Sequence, residues 1–96
     1  MPDRIECATD FDIGYAIGSL SARKDLFSTV DVIREILGHY HRDVGIPAGS
    51  SPNALFGKKL SRHEEAFRLV RDHPDRDAPD DDGEPTTSAY WRPRPR

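Results

Sequence analysis

Apolar side chains return every three or four positions along two stretches of this chain and alternate with polar ones in another. Helical spacing appears first in TDFDIGYAIGSLSARKD, where Ile13, Ile17 and Leu20 recur with Phe11 and Ala16 flanking them. Thr9, followed three residues later by Asp12, supplies a capping-box start. Gly14 and Gly18 weaken this helix by about 1 kcal/mol each relative to alanine. Their spacing suggests close approach of a neighbouring backbone within the fold. DLFST is short, apolar and β-branched at its end, which predicts a brief strand.

The clearest amphipathic pattern follows in VDVIREILGHYHRD. Val32, Ile33, Ile36, Leu37 and Tyr40 form one stripe, with Asp31, Arg34, Glu35, His39 and Arg42 off it. Ser28 with Asp31, or Thr29 alone, caps its start, and Gly45 and Pro47 are expected to end it. GIPAGSS is a turn-rich connector. Ser51 then reads as an N-cap with Pro52 at the first helical position, where a missing N–H costs nothing. This third helix is expected to reach about Glu65. In it Leu55, Phe56, Leu60 and His63 fall on one side, and Ala54, Lys58, Ser61, Arg62 and Glu65 on the other.

Alternation takes over in AFRLVRD, with Phe67 and Leu69 against Arg68 and Arg71, and TTSAYWRP is β-branched and aromatic. Both read as strands of an antiparallel hairpin. Adjacent Tyr90 and Trp91 must face opposite sides. Trp91 is expected in the core and Tyr90 partly exposed, either as a half-covered aromatic on an edge strand or as a partner contact. Between the strands lies a proline-punctuated acidic loop, residues 74–85, holding Asp75, Asp77, Asp80, Asp81, Asp82 and Glu84.

Composition sets limits on this picture. Ninety-six residues make one domain with a modest core. A hydrophobic fraction of 35% and a charged fraction of 32% place part of the chain outside that core. The net charge of −3 argues against a chain that coats nucleic acid uniformly, but not against a local basic face. One cysteine, Cys7, excludes an internal disulfide and a cysteine-rich zinc framework. No apolar run approaches the roughly 20 residues of a membrane span, and MPDRIECATD has no secretory core, so a cytoplasmic location is expected. His39 and His41 lie two apart, the wrong spacing for zinc on a helix. DRDAPDDDGE does not match an EF-hand loop. No nucleophile elbow, phosphate loop or carboxylate pair is present. The chain is therefore read as a non-enzyme without metal or cofactor.

The order helix, short strand, helix, helix, strand, loop, strand, together with VDVIREILGHYHRDVGIPAGSSPNALFGKKL, resembles the winged helix-turn-helix superfamily. Such domains occur in regulators and in replication proteins of phages and plasmids. The carrying pattern is a serine (Ser50 or Ser51) ahead of Phe56, Gly57 and Leu60. The resemblance implies an α+β fold of three helices with a small β-hairpin wing. On this reading residues 1–8 form an irregular lead-in, 9–93 the domain and 94–96 a basic tail. It also implies double-stranded DNA as partner, with the helix around 52–65 in the major groove. Ser51, Asn53, Ala54, Lys58, Lys59, Ser61 and Arg62 would contact DNA there, with Arg68, Arg71 and Arg92 on phosphates and a homodimer doubling the contacts. The alternative is a protein-interaction adaptor on the same scaffold. Asp80, Asp81, Asp82 and Tyr90 would then meet a basic partner, since an acidic wing opposes phosphate.

Overall fold

The structure, a computed structural model, describes residues 2–41 and 51–95. It is an α+β fold with three α-helices and one three-stranded antiparallel sheet: α1 (Asp10–Ser21), β1 (Phe27–Ser28), α2 (Thr29–Leu37), α3 (Pro52–Arg62), β2 (Leu69–Asp77) and β3 (Thr87–Pro93). This is the element order expected above. The lead-in is not wholly irregular, because Ile5–Cys7 forms a 3-10 turn that buries Ile5. No helix among the described residues is long and apolar enough to cross a membrane.

Both expected capping boxes form. The Thr9 hydroxyl accepts the Asp12 N–H at 3.1 Å while the Asp12 carboxylate accepts the Thr9 N–H at 2.9 Å. Ser28 and Asp31 repeat the exchange at 3.0 Å in both directions. Each box satisfies two of the orphan donors at a helix start. At the other end of α2, the expectation of a helix running towards Gly45 fails. Gly38 takes φ 85° and its N–H closes on the Arg34 carbonyl, so the helix stops at Leu37. A left-handed residue is a stop that glycine supplies without steric cost. Gly45, Pro47, Ser50 and Arg42 lie outside the described residues, as does Arg96 of the tail.

The alternation at Phe67 and Leu69 belongs to a turn rather than to one strand. α3 ends at Arg62, three residues before Glu65, and turns occupy residues 63–68. Arg68 adopts φ 58°, which redirects the chain so that Phe67 and Leu69 are both buried. β2 then runs through Asp77, so residues 74–77 are strand and not loop. A register shift between Asp72 and Arg76 accommodates Pro74, which has no N–H for the ladder. The His73–Pro74 peptide is cis.

β3 is the central strand, with β1 on one side and β2 on the other. Trp91 pairs with Phe27 across one edge and with Arg71 across the other. Its ring is fully buried, and its Nε1–H donates to the Thr29 hydroxyl at 2.9 Å. The core joins Ile13, Ile17 and Leu20 of α1, Ile33 and Ile36 of α2, Phe56 and Leu60 of α3, and Phe27, Leu69 and Trp91 of the sheet. Two expectations for apolar residues do not hold. Phe11, read as flanking the core stripe, is 78% exposed, and Leu55 is 53% exposed. Gly14 and Gly18 have no close neighbour either: a methyl group added at either would meet nothing within 4 Å.

Candidate nucleic-acid interface

α3 carries Lys58, Lys59 and Arg62 and no carboxylate within Pro52–Arg62. Its start is built by Ser51, whose hydroxyl accepts the Ala54 N–H at 3.2 Å, with Pro52 in the first turn. Phe56 and Leu60 seat one side in the core. Ala54, Lys58, Ser61 and Arg62 lie on the other side, and Lys58, Ser61 and Arg62 are exposed. Leu55, expected with Phe56 and Leu60, sits at the edge of this outer face. Five of the residues assigned to DNA (Asn53, Ala54, Lys58, Ser61 and Arg71) line a groove of about 310 Å³ between α3 and the hairpin.

Several of the assigned residues also engage partners within the fold. Lys59 points back to α1 and pairs with Asp10 at 3.0 Å. Asn53 donates its amide to the His41 carbonyl at 3.0 Å, so it braces the entrance to α3. Arg68 is exposed in the turn, and its carbonyl accepts the Arg94 N–H. Arg71 pairs with Asp75 at 2.5 Å and lies over the Trp91 ring at 5.4 Å. Arg92 and Arg76 converge on Asp72 at 3.0 Å and 2.6 Å. These two cations hold the Asp72 carboxyl below its ordinary value of 3.8, the Arg76 hydrogen bond contributing most. Asp72 was missed as a partner because only the register brings it beside Arg92 across the ladder. The strand arginines are therefore neutralised by carboxylates of β2 itself.

The acidic loop is mostly fastened inward. Asp80 is buried, and one of its carboxylate oxygens accepts the N–H groups of Asp82 and Glu84 at 2.9 Å each. Asp81 accepts the Tyr40 N–H at 2.9 Å and the Arg34 guanidinium at 2.9 Å, and its own N–H returns to the Tyr40 carbonyl. The Tyr40 N–H, against an opposing effect of burial and with help from Arg34, keeps the Asp81 carboxyl below its ordinary value. Asp80 and Asp81 thus tie the hairpin tip to the segment after α2, which corrects their assignment as a free acidic surface. Asp82 remains largely exposed and meets His41 at 3.0 Å. Tyr90, expected to be partly exposed, is half-buried under Arg76, and its hydroxyl donates to the Asp77 carbonyl at 3.0 Å. Two buried guanidinium nitrogens, Arg71 Nε and Arg76 Nη1, have no hydrogen-bond acceptor. Both guanidinium groups lie over aromatic faces, which attract cations electrostatically.

No family model, curated protein or solved structure matches the chain.

Proposed function

We propose that this chain is a winged-helix DNA-binding protein that inserts α3 into the major groove, as a regulator of transcription or replication would. The element order and the β1-β3-β2 sheet support the winged arrangement. The observation that carries the reading is that α3 has three cations, no carboxylate, and a small polar outer face around Ala54, Lys58, Ser61 and Arg62. A helix of this width fits the major groove. Arg62 is suited to a bidentate pair with guanine, and Lys58 to phosphate or guanine.

The neutralised hairpin makes the proposal quantitative. With Arg71, Arg76 and Arg92 held by Asp72 and Asp75, α3 supplies the main phosphate contacts among the described residues. The logarithm of affinity should then fall with the logarithm of salt at a slope of about −2, and no steeper than about −3. Fluorescence anisotropy on duplex fragments at several salt concentrations measures it. Arg62→Ala should cost about 1–3 kcal/mol on a cognate site and relax preference at one base position. A slope near zero, or no binding at about 50 mM salt and micromolar protein, sinks the reading.

A second reading, a protein-interaction adaptor on the same scaffold, is favoured by one observation. The carboxylates of β2 interrupt what would otherwise be a continuous positive face running from α3 across the hairpin. Its partner would present a basic surface to the exposed Asp82 side of the hairpin tip. A partner captured through nuclease treatment and lost on Asp82→Asn, with Arg62→Ala silent, selects this reading over the first.

A further inference from the structure

We propose that the groove between α1 and the end of the sheet is a binding site for a small aromatic carboxylate. The inference does not rest on DNA binding, because the residues that form the groove lie outside α3. The groove measures about 410 Å³, within the range of small-ligand sites. Gly14, Ile17 and Gly18 of α1 lie on one side of it, and Phe67 and Pro93 on the other. Arg68 and Arg94 also line it, and none of the described residues around it is acidic.

These two arginines make it a site for an anion. Arg23, Arg34, Arg71, Arg76 and Arg92 each pair with a carboxylate. Arg68 and Arg94 have no carboxylate partner among the described residues. They are neighbours because the Arg94 N–H donates to the Arg68 carbonyl at 2.7 Å. The Arg94 guanidinium is oriented by Nη2, which donates to the Leu69 carbonyl at 3.1 Å. A carbonyl fixes the group without cancelling its charge, and most of the guanidinium donors are left for a ligand. Arg68 adds a separate observation. It holds φ 58°, a left-handed conformation that a Cβ opposes and that glycine adopts without steric cost. The turn that buries Phe67 and Leu69 needs that backbone but not an arginine side chain. Backbone strain of this kind collects at ligand contacts.

Two opposing charges are smaller. α1 ends at Ser21 beside the groove, and a helix C-terminus carries roughly half a negative charge. Its Gly18 and Leu20 carbonyls already accept the N–H groups of Ala22, Arg23 and Lys24, so two full positive charges set the local sign. The net charge of −3 belongs to the whole chain, and salt screens its distant members beyond about 10 Å.

The α1 side selects the body of the ligand. A Cβ added at Gly14 or Gly18 would meet nothing within 4 Å, so the glycines leave bare backbone on which a flat ring can lie. A carboxylate on that ring matches the guanidinium fork through two parallel hydrogen bonds. With both arginines exposed, binding should be weak, with a dissociation constant on the order of 0.1–1 mM.

Amide NMR titration of the full chain with naphthoate tests this, with naphthamide as the same rings without charge and acetate as the charge without rings. Naphthoate should give saturable shifts centred on Gly14, Gly18, Arg68 and Arg94, and both controls should bind at least about tenfold more weakly. Arg68→Gly keeps the turn, and Gly18→Leu improves helix propensity while filling the groove. Each should weaken naphthoate at least about tenfold with the rest of the amide spectrum unchanged. Arg94→Gln can still donate to the Leu69 carbonyl and should weaken binding as well. Shifts that do not saturate by about 10 mM, or that centre elsewhere on the chain, overturn the proposal. So does naphthamide binding as tightly as naphthoate, or full affinity in either Arg68→Gly or Gly18→Leu.

Discussion

Thr29→Val isolates one buried hydrogen bond that joins the sheet to α2. Trp91 is the only tryptophan and is fully buried. Its indole N–H has the Thr29 hydroxyl, at 2.9 Å, as its acceptor. Valine keeps the shape of threonine and removes the acceptor. The indole N–H then stays buried without a partner, which costs about 1–3 kcal/mol. At roughly 4–8 °C per kcal/mol for a domain of this size, the melting temperature should fall by about 4–24 °C. Trp91→Phe removes the donor together with part of the ring and should cost about 1–3 kcal/mol through the smaller core. The stack with Arg71 survives on a phenyl ring. In the Trp91→Phe background no donor remains to be orphaned, so Thr29→Val should there cost less than about 0.5 kcal/mol, a coupling of about 1–2 kcal/mol. Urea unfolding followed by far-ultraviolet circular dichroism measures all four chains without relying on tryptophan emission. Equal cost of Thr29→Val in both backgrounds would refute the reasoning, because the loss would then reflect the start of α2 and not the indole.

The hairpin tip offers a contrast between neighbours: Asp81→Ala should lower the melting temperature clearly, since it frees the Tyr40 N–H and Arg34, whereas Asp82→Ala should change it little. Charge neutralisation intended to probe partner binding therefore belongs at Asp82 and not at Asp80 or Asp81. Acid should destabilise the fold in a definite direction. Asp12, Asp72 and Asp81 titrate below their ordinary value of 3.8 when folded, so the unfolded chain takes up their protons first. The stability they contribute is complete above that value and disappears as pH falls through the lower folded values. A pH series of thermal melts checks this, and Asp72→Asn should flatten it. Gly38→Ala should cost about 1–2 kcal/mol in a urea titration, because φ 85° is a left-handed conformation that a Cβ opposes.

Local chemistry made the two capping boxes, the α2 stripe, the serine-proline start of α3 and the burial of Trp91 legible in the sequence. Each depends on residues within about four positions of one another, where covalent geometry already sets the distances. Where the pattern misled, residues far apart in the chain decided the outcome. Phe11 and Tyr15 repeat at helical spacing like core residues. Which side of α1 faces inward was settled by the packing of Ile13, Ile17 and Leu20 against the rest of the fold. Phe67 and Leu69 alternate as a strand does, yet a left-handed Arg68 between them lets both reach the core from a turn. The charges were the least legible feature. Sequence counts cations and carboxylates but does not pair them. Only the register of β2 against β3 brought Arg92 to Asp72, and only the return of the hairpin tip brought Asp81 to Arg34 and Tyr40. Salt screens exposed charges beyond about 10 Å, so tertiary structure, not composition, determined which hairpin arginines among the described residues are paired with carboxylates.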